Sequence, residues 1–262
     1  MVLTAYVVDA FAGEIFRGNP AAVVPLQEWL PDSLLQAMAA EHNLAETSYF
    51  VPEGDVWRLR WFTPKVEMDL CGHATVAAAF VMKECLGMDL AHIDFASRSG
   101  LLGVDIAKGI YTLDFPSRPP EDVMADEELL AGLGSAPEDV LAARDYLAVY
   151  PNEAALAALA PDMGALKRAQ KKAVIATAPG ASPGVDFVSR FFAPALGVDE
   201  DPVTGSAHST LIPYWAKRLG KTKLVAKQIS ERGGELHCEL RGDRVGIGGR
   251  AVLYSKNEIY LP

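Results

Sequence analysis

The sequence repeats itself once. Trp61-Phe62-Thr63-Pro64 runs into Cys71-Gly72-His73-Ala74-Thr75, and about 130 residues further on Phe191-Phe192-Ala193-Pro194 runs into Thr204-Gly205-Ser206-Ala207-His208. Each copy is an aromatic strand, a proline, an acidic loop and a Gly-x-Ala turn that opens an apolar helix. Around it each half reads as strand, helix, strand, strand, loop, long apolar helix and several strands. A period this long is too long for a solenoid and points to two similar α+β domains related by pseudo-symmetry, the other reading being two unrelated strand–loop–helix units that share Gly-Ala by chance.

Alternation, breakers and helical spacing place the elements. The first half predicts strands at residues 3–8 and 21–24, then a helix from Pro31-Asp32 to His42-Asn43 with Asp32 as N-cap. Strands at 46–51 and 56–62, an apolar helix over 73–86, and strands at 92–96, 101–105 and 110–115 follow. Pro116, Pro119 and Pro120 mark the boundary. The first domain is therefore expected over 1–117, completed by 253–262, and the second over 118–252. The second half predicts acidic helical turns over 121–133, a strand at 146–150 and a helix capped by Asn152. Strands at 173–177 and 187–192 come next, then a helix over 206–219. Strands at 223–229, 236–240, 245–247, 251–254 and 258–261 close the chain. A chain of 262 residues buries roughly 70–75% of its unfolded surface, so no disulfide or structural metal is needed for folding.

Charge narrows the partners. With Lys+Arg 24 against Asp+Glu 34, the net charge is −10, which speaks against nucleic acid. The densest basic group, Lys167, Arg168, Lys171 and Lys172, reads as a solvated helix face. No membrane partner is expected: residues 1–8 lack a basic leader, and the most apolar helical stretch, 74–82, falls short of the ~20 residues a span needs. Cys71, Cys85 and Cys238 form no C-x-x-C pair, which fits a reducing, cytoplasmic setting. Neither Cys71-x-His73 nor His237-Cys238 belongs to a spaced set of four ligands, so no metal is expected. Gly220-Lys221-Thr222 imitates the end of a P-loop, but Trp215 stands where the earlier glycine is required. The run from Gly246 to Ala251 matches G-x-G-x-x-A, yet a hairpin-like tail follows it instead of a helix. No cofactor is expected.

Chemistry is expected at the two glycine turns. A helix that opens at a glycine exposes its first N–H groups and the positive end of its dipole, and so receives carboxylates or phosphates. Gly72 with His73 forms one such end, and Thr204-Gly205-Ser206 the other. A small anionic or zwitterionic substrate suits them better than a polymer does. His73 stands on the first helical turn, where the dipole favours a neutral ring near pH 7. Asp201 precedes the second turn. Glu46 lies at a helix-to-strand junction beside Leu44, Ala45 and Tyr49, where apolar neighbours would raise its pKa and let it act as base and acid. Each has a plainer role open to it: loop cap for Asp201, exposed strand start for Glu46, loop-bonded helix residue for His73.

Ordered motifs then carry a resemblance. Val8-Asp9-Ala10-Phe11 with Gly18-Asn19-Pro20, Asn43-Leu44-Ala45-Glu46-Thr47, Asp69-Leu70-Cys71-Gly72-His73-Ala74-Thr75, and Arg190 to Pro194 with Glu200 to His208 resemble the PhzF-like (phenazine biosynthesis-like) family. The resemblance implies a diaminopimelate epimerase-like α+β fold. Two pseudo-symmetric domains would each wrap a curled, mostly antiparallel sheet around a central helix, with the active site between them. It implies a cofactor-independent isomerase similar to dihydro-3-hydroxyanthranilate isomerase. Glu46 would move a proton between carbons, assisted by His73, Asp201 and Ser206, and the chain would form a homodimer. Related epimerases place a cysteine at each turn. Here Cys71 occupies the first and residues 201–204 supply no second, which disfavours a two-thiol racemase and leaves Cys71 a packing or supporting role. A non-catalytic small-anion binder on the same scaffold is the other reading.

Overall fold

Period-two runs become strands, and the two long apolar runs become the helices they surround. The computed structural model describes residues 1–261 and divides into two units, Met1–Asp114 with the segment from Gly248 onward, and Phe115–Ile247. Numbered in chain order, the first unit holds β1 (Val2–Ala10), β2 (Asn19–Pro25), α1 (Asp32–His42), β3 (Glu46–Glu53), β4 (Val56–Phe62) and β5 (Glu67–Met68). It continues with α2 (Gly72–Phe80), β6 (His92–Ser97), β7 (Gly100–Ala107), β8 (Ile110–Pro116), which leads out of it, and β18 (Ala251–Tyr260). Its strands pair in the order β18, β1, β2, β3, β4, β6, β7, β8, antiparallel except for β2 with β3 and β4 with β6. Helix α2 is buried from Gly72 to Ala79 and packs on β1, β2, β3 and β18. Apolar residues on every side leave it no solvent face, so the sheet must curl around it.

The second unit holds β9 (Glu121–Asp122), α3 (Glu127–Leu133), β10 (Asp139–Ala142), β11 (Tyr146–Val149), α4 (Glu153–Ala157), α5 (Met163–Arg168) and β12 (Val174–Pro179). β13 (Phe187–Ala193), β14 (Val198–Glu200), α6 (His208–Leu219), β15 (Lys223–Gln228), β16 (Gly234–Arg241) and β17 (Arg244–Gly249), whose last two residues belong to the first unit, follow. Here β11 is parallel to β12, β12 antiparallel to β13, β13 parallel to β15, and β15 antiparallel to β16. That is the sequence of directions from β2 to β7 over again. Even the short returns correspond, β5 on β4 and β14 on β13.

The repeat extends to a brace that motif reading overlooked. Arg60 on β4 donates twice to Glu67 on β5, at 2.7 and 2.9 Å, and its guanidinium lies 5.1 Å from the Phe62 ring. Arg190 on β13 donates twice to Glu200 on β14, at 2.9 Å each, and lies 4.9 Å from Phe192. Each fork ties an aromatic strand to the loop that enters a glycine turn. Arg60→Met is expected to lower the free energy of unfolding by about 1–3 kcal/mol, read from urea unfolding, because it removes both fork bonds from the mostly buried Glu67 carboxylate and leaves it only the half-exposed Arg98 at 2.6 Å.

Several elements depart from expectation. Pro31, not Asp32, occupies the N-cap of α1, and no side chain caps it. Asp32 is the first helical residue, and its carboxylate turns to Arg60 at 2.9 Å. The α-helix expected over 73–86 ends at Phe80 and closes with a π-turn over Val81–Cys85. The acidic run 121–133 is helical only from Glu127, because Asp126 caps the helix by accepting from Leu129 N at 2.6 Å. Residues 251–254 and 258–261 form one strand: the polar Ser255, Lys256 and Asn257 pair with Val7, Tyr6 and Ala5 of β1. Pro213 sits inside α6, where it cannot donate to the Ser209 carbonyl; Arg118 N donates to that oxygen instead, at 2.8 Å.

Candidate active site

The first glycine turn is built from two strand-and-helix junctions. Asn43 ends α1 in the left-handed region at φ 50°, and the chain re-enters the sheet at Glu46, paired in parallel with Ala21. Cys71 is the extended N-cap residue of α2. The Thr75 hydroxyl donates back to the Cys71 carbonyl at 2.6 Å and pins the turn. His73 follows Gly72 on the first helical turn and lies between two partners. Its Nδ1 is 3.6 Å from Cys71 Sγ and its Nε2 is 3.0 Å from Glu46 Oε2. Both Glu46 and His73 are largely buried, their side chains 15% and 7% exposed. The last contact is an ion pair without hydrogen-bond alignment, so neither Glu46 Oε2 nor His73 Nε2 has an aligned hydrogen-bond partner among the described residues. Two buried polar atoms in that condition are costly unless something else engages them.

The electrostatics correct both sequence expectations. Burial pushes the Glu46 carboxyl up, but the adjacent His73 charge, with the Cys71 thiol beside it, more than reverses this and holds it below its ordinary value. Burial pulls the His73 ring down, but Cys71 and the Glu46 carboxylate outweigh it and hold the ring protonated well above the usual range. The helix dipole that favours a neutral imidazole is overridden by a full negative charge at 3.0 Å. Burial and Glu46 push the Cys71 thiol up, so it rests as the neutral thiol. The turn is thus a carboxylate, an imidazolium and a thiol in contact.

Glu46, Cys71 and His73 can bring one ligand atom each within 4.8 Å of one another. The imidazole, however, turns opposite nitrogens to the thiol and the carboxylate. A single ion cannot use both nitrogens, so the arrangement fits a proton relay better than a metal cage.

The second unit repeats the turn with different chemistry. Gly205–Ala207 form a 3-10 turn, and the α-helix begins at His208, not at Ser206 as its sequence suggests. His208 Nδ1 donates to the Thr204 carbonyl at 2.9 Å, the same backward bond that Thr75 makes to Cys71. The Thr204 hydroxyl donates to the Asp201 carboxylate. Gln228 closes the turn, accepting from Thr204 N at 2.8 Å and donating to the Asp201 carbonyl at 2.7 Å. Ser206 Oγ accepts from Arg144 Nη2 at 3.1 Å. The structure therefore gathers Glu46, Gly72 and His73 at one turn, and Asp201, Thr204, Gly205 and Ser206 at the other.

Sequence reasoning missed Gln228 and Arg144. A signal existed for Gln228: Leu224, Ala226 and Gln228 share the buried face of β15, and an amide there must find partners. Arg144 lies in a short turn between β10 and β11, and nothing local marks it.

A neighbouring carboxylate, and not burial, separates the two helix-opening histidines, for both rings are buried. Desolvation pushes His208 down to about 4, despite its bond to Thr204. Titration of the ring signals by NMR is expected to find His73 protonated beyond pH 6.5 and His208 neutral down to about pH 4. A neutral His73 at pH 6 would contradict the ion pair.

The nucleotide-like strings have structural explanations. Gly220 is the left-handed C-cap of α6, the wrong end of a helix for phosphate, and Lys221 pairs with Asp186. Gly249 ends β17, where an added Cβ would lie 2.3 Å from the Phe11 ring. No helix among the described residues is long and apolar enough to cross a membrane.

Comparison with known proteins agrees with this architecture. A family model described as phenazine biosynthesis-like protein matches residues 8–257. Over 262 residues the chain is 52% identical to an uncharacterized isomerase of Pseudomonas aeruginosa, with 100% of each chain covered. The crystal structure of a PhzF-family phenazine biosynthesis protein from Enterococcus faecalis matches at a TM-score of 0.97 and 48% identity, covering 100% of each chain. A hydroxyproline epimerase from Agrobacterium vitis shares the fold at a TM-score of 0.65 and 11% identity, over 98% of this chain and 92% of that one.

Proposed function

Since the chain belongs to the phenazine biosynthesis-like (PhzF-like) family, we propose that it is an isomerase that moves a proton between carbons of a small carboxylate-bearing substrate without a cofactor. The family and its epimerase-like neighbours support an isomerase- or epimerase-type activity. One observation carries the finer reading: the buried Glu46 carboxylate held ionised at 3.0 Å from the His73 imidazolium, beside a helix-opening glycine.

The chemistry follows from that pair. Glu46 takes a proton from a carbon next to an activating group and returns it to another, one carboxylate serving both steps. When Glu46 is protonated, His73 loses the charge that kept it positive, and burial then favours releasing its proton. The imidazolium can thus answer negative charge that develops on the substrate. Asp201, Thr204, Gly205 and Ser206 position the substrate's polar groups at the second turn. Only one thiol, Cys71, stands at a glycine turn, with Thr204 in the matching place; this favours a single-carboxylate shuttle over a two-thiol racemase.

The test is carbon-bound hydrogen exchange. Incubating the protein in deuterium oxide with small amino, hydroxy and ring carboxylates should transfer solvent deuterium to carbon in a substrate that turns over. Saturable carboxylate binding with no such exchange would point instead to an anion-binding protein. The homodimer implied by the family resemblance belongs to the same proposal, and light scattering on the eluting protein would read it.

A further inference from the structure

The two glycine turns have diverged in charge. Register makes the comparison exact in position: Thr47 faces Ala22 and Phe62 in the first unit, as Val174 faces Tyr146 and Phe192 in the second. Glu46 therefore corresponds to Ala173, and His73 to Ser206. In the first unit the residue after the glycine meets a carboxylate. In the second it meets a guanidinium, with no acid at the Glu46 position.

That guanidinium is fixed. Arg144 Nε and Nη2 donate to Asp145 Oδ2 at 3.0 and 2.8 Å, and Nη2 also donates to Ser206 Oγ. Asp145 is buried, whereas the Arg144 side chain is 44% exposed. The loop beneath is held as well, by Lys171 Nζ donating to the Ala143 carbonyl at 2.9 Å. Arg144 Nη1 has no hydrogen-bond partner among the described residues, so its two N–H groups remain to be used. Ser206 Oγ, already accepting from Arg144, can turn its own hydrogen outward. The acid nearest the turn, Asp201, is occupied by the Thr204 hydroxyl.

We propose that Arg144 is the specificity-determining residue of this protein, receiving the substrate's carboxylate together with the Ser206 hydroxyl. The inference rests on the isomerase reading and names the substrate class at its second turn. Because Asp145 takes Nε and Nη2 and Ser206 takes the rest of Nη2, the guanidinium offers a pre-oriented Nη1 donor beside the Ser206 hydroxyl; charge-assisted donation from it, spared the cost of ordering, favours a carboxylate over its neutral amide.

Calorimetric titration of the full chain with 2-aminobenzoate, L-proline and lactate, each beside its amide, tests this. At least one acid should bind saturably, with its amide weaker by about tenfold or more. Arg144→Met should weaken the acid by about tenfold to a hundredfold and leave the amide unchanged. Arg144→Lys should fall between, keeping charge but losing the planar group that Asp145 and Ser206 hold in place. The double variant Arg144→Met with Asp145→Asn, which leaves no buried carboxylate unpaired, should match the single variant. Binding is read by heat and chemistry by deuterium exchange, which separates this test from the test of the chemistry. Acid binding by Arg144→Met equal to that of the unaltered chain would overturn the assignment and leave the Glu46 mechanism standing. Equal loss of acid and amide would do the same, whereas the absence of carboxylate binding by the unaltered chain would overturn both this assignment and the carboxylate-substrate reading it rests on.

Discussion

Glu46→Gln is expected to reduce carbon-bound hydrogen exchange by about 10²–10⁴-fold, the usual worth of a positioned general acid–base group, while the protein stays folded. The amide keeps the shape of the side chain but can neither accept a proton from carbon nor hold His73 positive. Exchange followed by mass spectrometry and folding followed by circular dichroism separate chemistry from stability. Full activity in this variant would refute the mechanism. The substitution should also change the pH dependence of stability. Glu46 sits below its ordinary value of 4.5, so its contribution is present above pH 4.5 and lost as pH falls through the lowered value. His73 sits above its ordinary 6.5, so its contribution is complete below pH 6.5 and lost as pH rises through the raised value. The pair therefore stabilises most between pH 4.5 and 6.5, and Glu46→Gln should flatten urea midpoints across that window and both its shoulders.

Trp215→Ala is expected to cost about 3–5 kcal/mol of unfolding free energy, enough to threaten a domain of ordinary stability. Trp215 is fully buried in α6 and stacks on Phe187, ring centroids 5.5 Å apart and 4° from parallel. Its indole N–H donates to Thr177 Oγ1 at 3.0 Å. Arg218 covers the ring from 5.3 Å. Removing the indole leaves a cavity between α6 and the sheet of the second unit. Trp215→Phe should lose much less. It keeps a ring against Phe187, and Thr177 still satisfies its own hydroxyl by donating to the Val188 carbonyl at 2.7 Å. Denaturant unfolding of the two variants should order them this way; an equal loss would locate the effect in the indole hydrogen bond.

Some of this was legible in the chain. The doubled lead-in at Trp61 and Phe191 announced two copies of one unit, and the strand directions of both units agree. Glycine with apolar helical spacing marked α2, because a helix without a polar face must be interior, whereas α6 buries His208, Ser209 and Thr210 as well and exposes its last turn. What local pattern misplaced were edges and polar stretches. Ser255, Lys256 and Asn257 look like a turn until β1 supplies a ladder for their backbone. Asp32 looks like a cap until Arg60 draws it away.

Residue type and order determined which groups exist at the two turns: a carboxylate, an imidazole and a thiol for one, a hydroxyl pair and an aspartate for the other. Tertiary structure alone decided their ionisation. Glu46 and His73 are 27 positions apart in the chain, and each read alone invites the wrong protonation state. Brought to 3.0 Å in a buried place, they exchange desolvation for mutual attraction, a quantity that depends on distance and surroundings. Arg144 reached Ser206 by the same route, across 62 positions of chain and not through any local motif.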